Sequence, residues 1–124
     1  LTLERVLGGL LQPLAWALGV PWGEAQLAGS LIGQKFILNE FVAYVTYSEV
    51  ADQLSPRSQA IVIFALCGFA NLSSIAILLG GLGAVAPGRR DDISRYGFRA
   101  LIAASLSNLM SAALAGFFLT LGVA

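Results

Sequence analysis

From Ser58 to Pro87 the chain carries no charged side chain. At about 1.5 Å per residue, a continuous helix of that length over-spans a hydrocarbon core of roughly 30 Å. Yet Asn71, Ser73 and Ser74 fall near its middle, beside the helix-weakening Gly68. In lipid, every polar side chain and every freed backbone group needs an internal partner. The cluster Cys67-Gly68-Phe69-Ala70-Asn71-Leu72-Ser73-Ser74 therefore admits two readings. In one, the helix opens at mid-depth and turns its amides and carbonyls toward a cavity or ligand. In the other, Asn71 and the serines hold an unbroken helix to its neighbours.

The composition places both readings in a membrane. Of 124 residues 57% are hydrophobic and 11% charged, against about 25% charged in a soluble domain. The mean hydropathy is +0.81. Zero net charge offers no basic field, so no nucleic-acid partner is expected. There is no His, and Cys67 is the one cysteine, which leaves no intrachain disulfide and no thiolate metal cluster. Cys67 reads as a small packing residue. No signal-peptide pattern follows Glu4 and Arg5. The chain begins without Met inside a helix-like pattern, so a longer polypeptide is expected.

Four units follow along the chain. Residues 1–20 are apolar after Glu4 and Arg5, with Pro13 expected to kink them and Trp16 suited to the headgroup level. This is read as an interfacial or oblique helix. Residues 22–52 hold two apolar arms, Ala25–Gln34 and Phe41–Ser48, each too short to cross a bilayer. A re-entrant hairpin is favoured, its tip carrying Gln34, Asn39 and Glu40, with Gly29 and Gly33 letting the arms pack closely. One long helix with a polar stripe is the alternative. Ser55 and Pro56 read as N-cap and first residue of the segment 56–87, an interrupted transmembrane helix. Residues 89–122 read as a long C-terminal transmembrane helix. Ala104, Asn108, Ala112 and Gly116 give it a small-residue face, on which Asn108 reads as helix–helix glue. Arg89, Arg90, Arg95 and Arg99 put its preceding loop in the cytoplasm. The fold class is an all-α membrane protein.

No nucleophile–base pair, phosphate loop or metal spacing is visible, so no catalytic or metal-binding residue is expected. The polar residues at membrane depth are Gln34, Asn39, Glu40, Asn71, Ser73, Ser74 and Asn108. Carboxylate, amides and hydroxyls suit a neutral, hydroxyl-rich solute or an ion path. An intramembrane carboxylate is a functional hypothesis, against a structural pair of Glu40 with Lys35 or an arginine. A hairpin followed by a broken helix is one half of an inverted-repeat transporter. No second half is found in these residues, so the site is expected to be half-formed. Rival readings are a membrane scaffold or assembly fragment with no site, and, ranked last, an integral-membrane enzyme using Glu40 as base.

The motifs carry a resemblance. Gly33-Gln34-Lys35, Leu38-Asn39-Glu40-Phe41-Val42-Ala43-Tyr44, Leu54-Ser55-Pro56-Arg57, Ala65 through Ile75, and Gly80-Gly81-Leu82-Gly83 resemble the C-terminal third of the concentrative nucleoside transporter family, most closely its bacterial members. So do Pro87, Arg89-Arg90 and Arg99-Ala100-Leu101. The resemblance implies symport of nucleosides such as uridine across the bacterial inner membrane, coupled to sodium or protons and run by an elevator-like movement. It implies that Glu40, Asn71 and Ser74 bind the ribose and that Phe69 packs beside the base, with Gln34, Asn39 and Ser73 in support. It implies no cofactor. The coupling-ion site is expected in the missing N-terminal part of the transporter. A homotrimer is also implied, its scaffold including the last helix, with which the small-residue face agrees.

Overall fold

The computed structural model describes residues 2–122, and its regular elements are helices. They are α1 (Leu3–Ala17), α2 (Trp22–Ile37), α3 (Glu40–Val50), α4 (Pro56–Leu66), α5 (Leu72–Val85) and α6 (Arg90–Thr120). Short 3-10 turns over Ala51–Gln53 and Pro87–Arg89 join α3 to α4 and α5 to α6.

The centre of the molecule is α2. Every residue from Ala28 to Lys35 is buried, the mark of an inner helix with neighbours all round. α1 lies along it, and glycines make the approach possible. A Cβ on Gly8 would come 2.7 Å from the Gln26 carbonyl oxygen, and one on Gly29 would come 2.9 Å from the Leu11 carbonyl carbon. Gly33 faces Leu7 in the same way. The expectation that Gly29 and Gly33 bring the two hairpin arms together is thus corrected: they admit α1. α1 runs on through Pro13. Gly19, at φ +106° between α1 and α2, occupies a backbone region costly to any residue with a Cβ.

The chain reverses at Leu38–Asn39. Asn39 caps α3, its side chain accepting the Val42 N–H at 2.9 Å. A single long helix through this region is therefore not what forms. Ser55 caps α4 and Pro56 follows at its first turn. Glu24, at the start of α2, accepts from the Ser55 N–H and hydroxyl, both at 3.0 Å, and ties the two helix starts together.

α4 stops at Leu66 and α5 starts at Leu72, so the uncharged run is broken where Gly68 and Asn71 stand. α6 then crosses back over both halves. With its preceding turn it is long and apolar enough to cross a membrane. Its buried residues are Leu109, Ala112 and Gly116. A Cβ on Gly116 would lie 2.6 Å from Ile61. Gly116 and Asn108 of the small-residue face thus meet α4 within the chain, the close helix packing expected of that face, while Ala104 is exposed. The core joins Ala28, Leu31 and Ile32 of α2 to Ile61, Ala65 and Leu66 of α4 and Leu109 and Ala112 of α6.

Candidate functional site

The two ends created by the break carry opposite partial charge. The α2–α3 hairpin supplies a side chain of opposite sign to each. Glu40 opens α3 and reaches the N-terminal end of α5, where its Oε2 accepts from Asn71 Nδ2 at 3.1 Å. Lys35, five positions earlier on α2, reaches the C-terminal end of α4, where its Nζ donates to the Ala65 carbonyl at 3.1 Å. The spacing of the two charges thus spans the break.

Asn71 organises the α5 end. It is 1% exposed. Its Oδ1 accepts the Ser74 N–H at 2.9 Å as an N-cap and lies 3.1 Å from the Ser74 hydroxyl. Its Nδ2 holds Glu40, with one N–H to spare. The Ser74 hydroxyl also donates to the Phe69 carbonyl at 2.6 Å. A hydroxyl has one proton, so Ser74 is committed as a donor and remains free only to accept. Ser73 donates to the Leu38 carbonyl at 3.3 Å and fastens the hairpin tip to α5.

Glu40, Asn71 and Ser74 are therefore brought together, with Ser73 and Asn39 setting the two helix starts around them. Phe69 contributes its carbonyl to the cluster, while its side chain is 62% exposed beside it. Gln34 is not brought in. It is buried one turn below the tip, donating to Ser30 and accepting from the Thr46 hydroxyl. A cavity of about 360 Å³ lies between α5 and α6, walled by Phe69, Ser74, Ile75, Gly97 and Leu101 among others. Neither Glu40 nor Asn71 lines it. The structural pairing of Glu40 with Lys35 or an arginine is absent among the described residues, where the ion pair present is Arg89–Asp92.

What the sequence reading missed is the treatment of the other end. The last carbonyls of α4 accept side-chain donors from three helices: Ile63 from the Tyr44 hydroxyl at 3.0 Å, Phe64 from Asn108 Nδ2 at 2.8 Å, and Ala65 from Lys35. Asn108 also accepts from Lys35 at 2.6 Å, which makes it the helix–helix bridge expected of it. Gly68 leaves the room, since a Cβ there would sit 2.6 Å from Asn108 Oδ1. A Lys near the end of α2 and an Asn within the uncharged stretch of α6 are the signal that pointed to these contacts.

Comparison with known proteins adds the family context. The family model described as Na+ dependent nucleoside transporter C-terminus matches residues 1–116. The putative nucleoside permease NupX of Escherichia coli (strain K12) is 56% identical over 123 residues, covering 97% of this chain and 30% of the relative. A structure of CNTnw in an inward-facing substrate-bound state superposes with a TM-score of 0.93 at 57% identity, over 97% of this chain and 30% of that one. A substituted form of CNTnw in an outward-facing state gives 0.94 at 56% identity, over 98% and 31%. The chain spans about 30% of the length of these proteins.

Proposed function

The chain belongs to the C-terminal family of Na+-dependent nucleoside transporters, and on that premise we propose that it forms the C-terminal part of a cation-coupled nucleoside symporter. The family consists of transporters rather than enzymes, and the chain is part of an integral membrane protein. The location is a bacterial inner membrane, and the coupling ion is sodium or a proton, bound by the N-terminal part. α1 lies at the interface, α2–α3 is a re-entrant hairpin, α4–α5 is an interrupted transmembrane helix and α6 spans.

The observation that carries this reading is the Glu40–Asn71 contact at two facing helix starts. Among the described residues the second carboxylate oxygen of Glu40 accepts no hydrogen bond. A charged acceptor of this kind suits a hydroxyl-rich ligand. Glu40, Asn71 and Ser74 hold the ribose; Phe69 offers an exposed ring to the base. The chain matches inward-facing and outward-facing relatives equally well, so α2 to α6 keep one arrangement in both states, and any elevator-like movement carries them together against the N-terminal part. Assembly is as a homotrimer.

The test is uptake of labelled uridine by the full-length transporter in liposomes, driven in turn by sodium and proton gradients. Accumulation with one gradient is expected. Absence of saturable uptake or binding with any nucleoside overturns the reading.

A further inference from the structure

A helix that ends inside a protein leaves its last carbonyls without intrahelical donors. At the end of α4, Ile63 and Phe64 share the Cys67 N–H, and Tyr44 and Asn108 add neutral side-chain donors to them. Lys35 supplies a charged one to Ala65. Its side chain is fully buried and meets no carboxylate among the described residues. Its other partner, Asn108 Oδ1 at 2.6 Å, is again an acceptor. Both groups hydrogen-bonded to Nζ accept, so the nitrogen donates to each, and as an ammonium it does so through charge-assisted bonds. A buried charge is costly unless it is paired or hydrogen-bonded. An uncharged side chain of equal length would avoid that cost, so the ammonium's contribution lies in what it holds.

It holds three helices at one point: α2 through its own backbone, α4 through Ala65 and α6 through Asn108. From there the chain runs through Cys67–Ala70 directly into Asn71, which grips Glu40. Glu40 is in turn only five positions from Lys35 across the hairpin tip. The loop Lys35–Ala65–Asn71–Glu40 closes on itself, and Lys35 and Glu40 are its two charged corners.

We propose that Lys35 is a positioning residue for the nucleoside site: a built-in monovalent cation seated on the open carbonyl end of α4, which fixes the break so that Asn71 stays in register with Glu40. The assignment rests on the nucleoside reading above. Lys35 itself donates to neither Asn71 nor Glu40, and acts through the backbone of the break.

The experiment uses the full-length transporter with two readouts. The first, hydrogen exchange over residues 63–74 without ligand, does not depend on any nucleoside. Lys35→Met keeps the length of the side chain and removes the charge. Exchange across the break should speed at least about tenfold, with peptides from α1 unchanged. The second is uridine affinity, which should fall about tenfold or more. Lys35→Ala leaves space for n-propylammonium, the missing end of the side chain. Millimolar propylammonium should restore both readouts, and 1-propanol, of similar size but neutral, should not. If Lys35→Met does not fold, Lys35→Ala purified throughout in propylammonium replaces it, with recovery of monodisperse protein as the readout. Unchanged exchange in Lys35→Met overturns the proposal, as does rescue by both additives or by neither. A wild-type protein that binds no nucleoside overturns the functional reading instead, and the exchange data still decide whether Lys35 fixes the break.

Discussion

The carboxylate of Glu40 accepts a hydrogen bond from the side-chain amide of Asn71 across 3.1 Å, although 31 positions separate them in the chain. Each residue stands at a helix start, Glu40 in the first turn of α3 and Asn71 as the N-cap of α5. The contact therefore sets the distance between the hairpin tip and the break. Among the described residues, the other carboxylate oxygen and the second amide N–H have no hydrogen-bond partner.

Asn71 has two duties that a substitution can separate. Serine caps a helix about as well as asparagine, but it has no amide to hold Glu40. Asn71→Ser should cost less than about 1 kcal/mol in stability through the cap. It should cost about 1.5–3 kcal/mol in nucleoside binding through the lost charged hydrogen bond. Combined with Glu40→Gln, the two losses should be non-additive by about 0.5–3 kcal/mol, as for residues in contact. Calorimetry on the four proteins of the cycle measures this, and simple additivity would show that the two side chains act independently.

Adjacent glycines in α1 should behave in opposite ways. A Cβ on Gly8 meets the Gln26 carbonyl at 2.7 Å, while one on Gly9 meets nothing within 4 Å. Gly8→Ala must push α1 away from α2, a strain of about 1–3 kcal/mol. Gly9→Ala should be neutral or stabilise by up to about 1 kcal/mol, through helix propensity alone. Thermal denaturation of the full-length protein in detergent separates the two. Equal melting temperatures would mean that α1 is not held as described.

The reversal between Gln34 and Glu40 was legible as the favoured reading, and the break as one of two, because both signals are local: short apolar arms, Gly68 and the polar cluster at Asn71 in an otherwise apolar run. That Asn39 and Asn71 cap the helices that follow was not read. The grouping of Glu40 with Asn71 and Ser74 came from the family motifs, not from spacing, since nothing in periodicity relates positions so far apart. What remained hidden was the partner of each face. Repetition of Ala104, Asn108, Ala112 and Gly116 declares a close contact but not what makes it; Asn108 and Gly116 meet α4, while Ala104 stays exposed. Gly29 and Gly33 likewise promised an approach and received α1. Lys35 was weighed only against Glu40, the nearest opposite charge in sequence, whereas the Ala65 carbonyl at the break and Asn108 Oδ1 satisfy it instead.

The arginines at the start of α6 predict an orientation. Arg89, Arg90, Arg95 and Arg99 lie at or near its start, and the following 21 residues of the helix, Ala100–Thr120, carry no charge. Positive residues flanking a span stay on the cytoplasmic side. A reporter inserted between Pro87 and Arg90 in the full-length protein should be cytoplasmic, and one fused after the last residue of this chain should face outward. The reverse pattern in alkaline phosphatase and fluorescent-protein fusions would invert the whole assignment, hairpin included.

Glu40 offers the sharpest test of the site. With one oxygen held by Asn71, the other is free to accept from a ribose hydroxyl. Glutamine has a single carbonyl oxygen, which Asn71 would engage, leaving an amide donor where the ligand needs an acceptor. Charge-assisted bonds are about twice as strong as neutral ones, and losing one costs about 1.5–3 kcal/mol, or roughly ten- to a hundred-fold in affinity. Glu40→Gln in the full-length transporter should therefore bind ribonucleosides weaker by that factor, while the hairpin remains docked through Ser73 and Leu38. A deoxynucleoside that lacks the contacted hydroxyl should lose much less, because it never made the bond. Glu40→Asp keeps the charge but shortens the reach to Asn71, and should also bind weakly. Calorimetry with paired ribo- and deoxyribonucleosides, and gel filtration to confirm folding, decides the matter. Equal affinity of wild type and a well-folded Glu40→Gln for every ribonucleoside would remove Glu40 from the site and leave its contact with Asn71 as a structural clasp.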